Sequence, residues 1–337
     1  MIDPRLQTLR VLRSHGTVTA TALALHLTPS TVSQQLKQLA HDNGVRLLEP
    51  NGRRVRLTPA AETLLAHADL LYAQWEKAKV DLAALGEGRI GSLRICGLSS
   101  TVSAFVAPAA KRLREAHPGV RLHLAAVEAV EAFRMLESGD ADIAVVTPHD
   151  ATPPLGDPRF EQEFLVDDVE DLLVPVDHPL AGRAGVALAE AADEEWIAMP
   201  ACLDQYQLFT SSAAAAGFTP DVAHRADSWT SMSGLVCTGF GVGLYSRLVP
   251  VPVDHAVVRV PIHGHPVPTR PLFTAVRRGS AGLPAIANGL DAIREEAARE
   301  RSYSPVGGRR RPREGEPGSA VQTGRTSPGP AVGSISS

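Results

Sequence analysis

The chain has 337 residues, with 44% hydrophobic and 21% charged side chains and a formal net charge of −4. This composition is that of a globular protein and excludes a fibrous repeat or a chain disordered throughout, while the length exceeds the needs of one ordinary domain. No run of about 18 or more apolar residues occurs, and the opening MIDPRLQTLR lacks the apolar core of a secretory leader. A cytoplasmic protein with no membrane partner is expected. Cys96, Cys202 and Cys237 are too few and too scattered for a disulfide framework or a four-ligand zinc site. The four lysines against 29 arginines reflect a GC-rich coding sequence and carry no functional weight.

Charge is unevenly spread. Residues 1 to 60 carry eight Lys/Arg against three Asp/Glu, whereas residues 91 to 302 carry 17 against 27. A basic front module joined to an acidic body suggests that the front meets a polyanion.

Leu6, Leu9 and Leu12 predict a first helix before Gly16, and VTATALALHL (18–27) a second. A third starts at Thr28, whose hydroxyl can cap a free amide, followed by Pro29 at the first helical position. Val32, Leu36 and Leu39 share one face of this third helix, which leaves Ser30, Thr31, Ser33, Gln34 and Lys37 on the others. Such side chains can read base edges in the major groove, where a helix fits; the alternative is an ordinary capped surface helix. GVRLLEPNGRRVRL (44–57) then gives two short strands around Asn51-Gly52. It reads as a wing, with Arg53, Arg54 and Arg56 at or near its tip to reach phosphates or the minor groove. Three helices and a basic hairpin in this order make a winged helix-turn-helix.

Residues 2 to 65, above all LTPSTVSQQLKQL and GVRLLEPNGRRVRLTPAAETLL, resemble the N-terminal domain of LysR-type transcriptional regulators. The resemblance implies a double-stranded DNA partner, with Ser33, Gln34 and Lys37 beside the duplex, and the cap residue Thr28 is grouped with them as DNA-binding. Pro29, Ala40 and Leu48 depart from the family's usual glutamine, acid and phenylalanine, so base preference is not inherited.

After Thr58-Pro59, apolar residues fall at Ala61, Leu64, Ala68, Leu71, Trp75, Ala78, Leu82 and Leu85. This 3.5-residue repeat on a helix of about 27 residues, roughly 40 Å long, needs a facing helix. Either a second copy supplies it, as the resemblance implies, or the helix packs on its own effector domain. Leu64 to Leu85 of this set are the expected dimerisation residues, and Gly86, Gly88 and Gly91 mark a hinge.

From residue 92 the chain reads strand SLRICG, helix AFVAPAAKRLREAH, strand VRLHLAAV, helix EAVEAFRMLES and strand ADIAVVT, a βαβαβ unit. A second set follows: EDLLVPV near 170, WIAM near 196, a helix near 205–216, strand DVAHRA, helix SWTSMSGLVCT and strand GVGLYS. A strand over 271–277 rejoins the first half, and Leu283, Ile286, Leu290 and Ile293 give a closing helix. Two α/β lobes crossed twice make a cleft, and this layout is similar to the family's effector domain, a relative of periplasmic substrate-binding proteins.

The fold expected is α/β overall. It comprises a winged helix-turn-helix (1–58), a dimerisation helix and hinge (59–90), and a two-lobed effector domain (91–302). Lobe I takes 91–164 and 270–302, and lobe II takes 165–269. Residues 303–337, of which 18 are Gly, Pro or Ser, are expected to be a disordered tail. Arg309, Arg310, Arg311 and Arg313 there are either nonspecific nucleic-acid contacts or a solvated basic patch.

Ligands of doubly wound sheets sit beyond the carboxyl ends of strands, which selects Ser99, Ser100, Thr101 and Thr147. The first three precede a helix whose free amides favour an anion, so a carboxylate-bearing small effector is expected; capping alone is the rival account. The resemblance adds Cys202, Leu203, Trp229, Gly241 and Val242 on the far side of the cleft.

Enzyme signatures do not emerge. GFGVG (239–243) follows a helix and enters a strand, the reverse of a dinucleotide loop. His263-Gly264-His265 in a Pro-rich turn is a poor metal site, and Cys202 has no second cysteine within the next 30 residues for an intramolecular redox switch. No catalytic residue, cofactor or metal is expected. The reading is a ligand-responsive, homodimeric or tetrameric DNA-binding regulator, with RNA polymerase among its expected partners. Its rivals are an α/β enzyme or solute-binding module on a DNA anchor, and a ligand-independent architectural protein.

Overall fold

The computed structural model describes residues 2–51, 54–85, 91–265 and 267–303. The front head opens with α1 (Pro4–His15), which starts where the Asp3 carboxylate accepts from the Arg5 amide and stops at Gly16, whose φ of 71° suits a residue without Cβ. Helix α2 (Val18–Ala24) is capped by Thr17, and α3 (Pro29–Asp42) by Thr28, whose Oγ1 accepts from the Thr31 amide at 3.1 Å. Val32, Leu36 and Leu39 turn inward against Leu9, Leu12, Ala22 and Leu47, forming one small core. Strands β1 (Leu48–Asn51) and β2 (Arg54–Leu57) pair antiparallel as the wing hairpin. Arg53 and the hinge glycines Gly86 and Gly88 lie outside the described residues, as do 304–337, which hold the tail arginines.

The body begins with β3 (Ser92–Gly97). Helical backbone then runs through α5 (Ser99–Thr101), a π turn (Val102–Val106) and α6 (Ala107–Ala116). Strand β4 (Arg121–Ala126), helix α7 (Ala129–Ser138) and strand β5 (Ile143–Val146) complete the predicted βαβαβ unit, with β3 parallel to both β4 and β5. Next comes β6 (Phe160–Pro175), a 16-residue strand. The second lobe holds β7 (Glu195–Ala198), α8 (Leu203–Ala215), β8 (Asp221–Arg225), α9 (Trp229–Cys237), β9 (Gly243–Ser246) and β10 (Val257–Val260). Strand β11 (Thr269–Arg277) and α10 (Pro284–Tyr303) return the chain to lobe I.

Strand β6 departs from the sequence reading, which placed a short strand near 170 and none over 160–168 or 257–260. Its first part pairs antiparallel with β11, and its last residues carry β9 and β10. One strand therefore belongs to both lobes, within a seven-stranded sheet of order β10-β6-β11-β5-β3-β4 with β9 also on β6. Acids at 161, 163, 167 and 168 break the apolar alternation that marks a strand, and pairing with β11 overrides that local signal.

The two lobes have separate cores, one around Phe105, Phe133, Leu136, Ile143 and Ile293, the other around Trp196, Phe209, Val242 and Leu244. Val242 is 1% exposed within this second core and Gly241 adopts φ +127°. A Cβ on Gly241 would overlap the Glu195 carbonyl, because the Val242 amide donates to that carbonyl and the Val242 carbonyl accepts from Ile197. Val242 is thus held in the interior of lobe II, and the half-exposed Gly241 allows the close approach that joins the start of β9 to β7.

Helix α4 (Pro59–Leu85) joins head to body, and its apolar seam divides. Ala61, Leu65 and Ala68 are buried in the head's own core, so Ala68 is already covered within its own chain. Further along, Gly279 and Gly282 of the body lie against Ala73, Lys77 and Val80, and Glu76 pairs with Arg277 at 3.5 Å. The opposite side remains uncovered: Leu71 is 52% exposed, Trp75 47%, Leu82 62% and Leu85 86%.

The head also rests on lobe I through α7. Gln7 donates to the Glu137 carbonyl (2.7 Å), and Arg134 donates to the Ser14 carbonyl (3.3 Å). The buried Glu137 carboxylate accepts from Arg13 of the head (3.1 Å) and from Arg159 of lobe I (3.2 Å). Loss of Glu137 removes charge-assisted hydrogen bonds worth about 1.5 to 3 kcal/mol, while Arg13 keeps Asp69 and Arg159 keeps Asp157. Glu137→Ala is therefore expected to lower stability by that order in urea unfolding and to speed hydrogen exchange in Pro4–His15. Unchanged exchange in α1 would mean that Glu137 serves lobe I alone.

Candidate nucleic-acid interface and interlobe cleft

At the start of α3 the Thr28 hydroxyl lies 2.8 Å from both Ser30 Oγ and Thr31 Oγ1, so Thr28 and Thr31 are partly spent on capping. One turn on, Ser33 is half-buried while Ser30, Gln34 and Lys37 are exposed, and all four line a single open groove. Gln38 and His41 line it too. The sequence reading did not single them out, although each lies four residues beyond Gln34 or Lys37 and so on the same helix face. Between α3 and the hairpin, Ser33, Lys37 and His41 meet Arg46, a further exposed cation that was missed because it precedes the wing tip. In the wing itself, β2 sets Arg54 opposite Asn51, and Arg56 forms a solvent-exposed pair with Glu49 at 2.8 Å. The first turn of α3 carries no acid, so its positive dipole end is unopposed and can favour an anion such as a phosphate.

The cleft is built where β6 and β11 cross between the lobes. Arg270 of β11 is 2% exposed and donates to Asp168 of β6 (2.6 Å) and to Asp204 of α8 (3.1 Å). Its Nη2 also lies 3.4 Å from Ser100 Oγ of lobe I, and its Nε is 3.5 Å from Glu170 Oε1. Around this guanidinium, Ser246 donates to Asp168 and Gln205 donates to Glu170 (2.8 Å). Burial opposes the Arg270 charge, yet the three carboxylates more than compensate and raise its affinity for the proton. Glu170 responds oppositely: burial pushes its carboxyl up to about 8, against the pull of Arg270 and with the push of Asp168 and Asp204.

Of the residues expected at the cleft, Ser99 is exposed at the helix start, where Leu98 supplies no side-chain cap. Ser100 faces Arg270, but Thr101 is withdrawn, its hydroxyl bonded to the carbonyls of Leu98 (2.9 Å) and Val145 (3.0 Å). Thr147 is 5% exposed and lines a cavity of about 260 Å³ together with Asp150, Asp204, Gln207, Thr269 and Arg270. Leu203 is exposed in the first turn of α8, and Trp229 packs behind the cleft with its ring centroid 5.4 Å from the Arg270 guanidinium carbon. The Cys202 Sγ–H donates to Asp204 Oδ1 at 3.2 Å. Burial, with Asp204 and Glu128 nearby, pushes the Cys202 thiol well above its ordinary range, so it is not held as a reactive thiolate.

The key residues missed by sequence reasoning are therefore Arg270, Asp168, Glu170 and Asp204. The adjacent acids 167 and 168 read as surface charge, because nothing local shows that an arginine a hundred positions later returns beside them.

Family comparisons agree with this construction. Residues 4–62 match the bacterial regulatory helix-turn-helix protein family of lysR type, and residues 86–298 match the LysR substrate binding domain. The chain belongs to the LysR family of DNA-binding transcription regulators, which are not enzymes. It is 29% identical over 224 residues to the regulator AlsR of Bacillus subtilis, covering 66% of this chain and 72% of that one. To the RuBisCO operon transcriptional regulator of Allochromatium vinosum it is 25% identical over 297 residues, covering 88% and 96%. Among solved structures, full-length OxyR from Pseudomonas aeruginosa superposes with a TM-score of 0.63 at 20% identity, covering 86% of this chain and 93% of that one. Full-length BenM gives 0.56 at 21% identity, covering 88% and 97%. These structural likenesses establish the shared architecture of head, long helix and two-lobed domain. Among the described residues, no helix is long and apolar enough to cross a membrane.

The raised Glu170 carboxyl makes stability depend on pH. Between its ordinary value of 4.5 and about 8 the folded chain binds a proton that the unfolded chain lacks, so stability falls as pH rises through this window. Urea titrations from pH 5 to 8 are expected to show that decline, and Glu170→Gln is expected to flatten it. An equally steep decline in the variant would place the proton elsewhere.

Proposed function

We propose that this regulator binds duplex DNA sequence-specifically as a homodimer or a pair of dimers, placing one α3 in the major groove of each half-site. The observation that carries the reading is the face of α3. Ser30, Ser33, Gln34 and Lys37 stand together on an open groove while Val32, Leu36 and Leu39 anchor the opposite side. Gln34 reads a base edge, Lys37 and Arg46 hold phosphates, and Arg53, Arg54 and Arg56 extend the grip through the wing. Arg56 then exchanges its Glu49 pair for a phosphate. The uncovered stripe of Leu71, Trp75, Leu82 and Leu85, with Leu64 and Ala78 on the same seam, receives the corresponding helix of a second copy. A small effector binds between the lobes beside Ser100 and Thr147 and changes their closure, and RNA polymerase is the partner through which the bound heads act.

Two variants test the reading. Gln34→Ala is expected to relax the choice at one base pair by about 1 to 3 kcal/mol while leaving random-sequence affinity nearly unchanged; equal losses on both DNAs would remove its reading role. Trp75→Asp combined with Leu82→Asp is expected to sediment at the mass of one chain and to lose cooperative operator binding. If that double variant keeps the wild-type mass, the stripe is not the dimer contact.

A further inference from the structure

Three glutamines stand on α3, and their surroundings give them different work. Gln35 turns toward α1, where its Oε1 accepts from the buried Thr8 hydroxyl at 2.5 Å. Gln34 and Gln38 are exposed one turn apart, on one face, and line the same open groove with Ser30, Ser33, Lys37 and His41. The two ends of a glutamine amide have nearly the same shape but opposite chemistry, one an acceptor and the other a double donor. Which end faces outward therefore decides which base edge the side chain can meet.

For Gln38 that choice is made by Asp42, whose Oδ1 accepts from the Gln38 Nε2 at 2.6 Å. A carboxylate only accepts, so the amide must turn its nitrogen to Asp42 and leave its carbonyl on the other side. Asp42 is itself held, because Arg5 Nη1 donates to its Oδ2 at 2.6 Å. Asp3 grips the same guanidinium, accepting from Nη2 at 2.6 Å and from Nε at 3.0 Å, and it also accepts from the Arg5 amide at the start of α1. A line of contacts thus runs from Asp3 through Arg5 and Asp42 to Gln38, tying the start of α1 to the end of α3. An amide–carboxylate bond four residues apart adds little to helix stability; its effect here is to set the direction of the amide. An acid this close to a phosphate-facing surface would repel DNA, but Arg5 offsets its charge, and Asp42 does not itself line the groove.

We propose that Gln38 is a second base-reading residue of α3, its carbonyl accepting from the exocyclic amino group of an adenine or a cytosine, with Asp42 as its positioning residue. The proposal rests on the reading that α3 enters the major groove. There adenine N6 and cytosine N4 are donors, whereas guanine O6 and thymine O4 are acceptors, so an acceptor held outward separates the amino bases from the keto bases. A keto base in that place sets acceptor against acceptor and leaves both without a partner.

The test is competition binding of the full-length protein to duplexes in which each base pair of its selected site is varied in turn, repeated with Gln38→Ala, Asp42→Ala and the double variant. At one base pair, distinct from the one that Gln34→Ala relaxes, the wild type is expected to favour amino over keto bases by about fivefold, and Gln38→Ala is expected to abolish that preference. Asp42→Ala keeps Gln38 but frees its amide to turn over, so keto bases are expected to gain at the same pair while the other positions hold their preferences. In the Gln38→Ala background, Asp42→Ala is expected to change nothing at that pair, which a merely structural role for the acid would not produce. A loss equal for all four bases in Gln38→Ala would make the residue a backbone contact and overturn the proposal. An Asp42→Ala change spread alike over every position would overturn the positioning role. A wild-type protein that selects no motif would overturn the α3 reading and this proposal with it, a result distinct from a motif that Gln38→Ala leaves intact, which overturns the proposal alone.

Discussion

The effector domain depends on one buried charge. Arg270 stands at the crossing of the only two strands that connect the lobes among the described residues, with Asp168 beside it on β6 and Asp204 reaching from α8. A guanidinium is the group suited to this place, because its planar fork serves several acceptors at once and stays charged when desolvated. Such a node adds little net stability over an apolar equivalent, since desolvation offsets most of the Coulomb gain. Its value is positional: it ties lobe II to the crossing, keeps Ser100 of lobe I within reach, and fixes which charges face the cleft.

From that node the structure leads to the head along a short path. Helix α7 begins beside Glu128, at the cleft, and ends at Glu137, which Arg13 of α1 and Arg159 of lobe I hold together. Its 10 residues correspond to about 15 Å of rigid helix. The same lobe seats α4 through Gly279 and Gly282, where a side chain would strike Ala73 or Val80. Lobe I thus supports the head at two places, one at α1 and one at the long helix. The outer stripe of α4 stays exposed, so the proposed pairing and the observed seating use different sides of one helix.

Much of this was legible in the sequence where chemistry and structure are local. The Thr28-Pro29 start of α3, the Asn51-Gly52 hairpin, the 3,4 spacing along α4 and the βαβαβ rhythm all state short-range rules, and the elements stand where those rules put them. The crossing was not legible. Strand β6 is rich in acids that a sequence reader assigns to the surface, and only the return of β11 a hundred residues later turns Asp168 and Glu170 into core groups. Gly241 is required by the close approach of β9 to Glu195, a constraint set by tertiary packing that no local spacing reveals. Thr101 resembled a ligand hydroxyl, yet its bonds to Leu98 and Val145 use it to tie the helix start to β5.

On the proposed reading, two copies joined along the free side of α4 present two α3 helices to one operator. Selection of binding sites from random duplex DNA by the full-length protein, followed by sequencing, addresses it directly. A two-fold symmetric motif is expected, with half-sites about 10 base pairs, or a multiple of that, from centre to centre. An asymmetric single block bound by one chain, or enrichment without any motif, would contradict it.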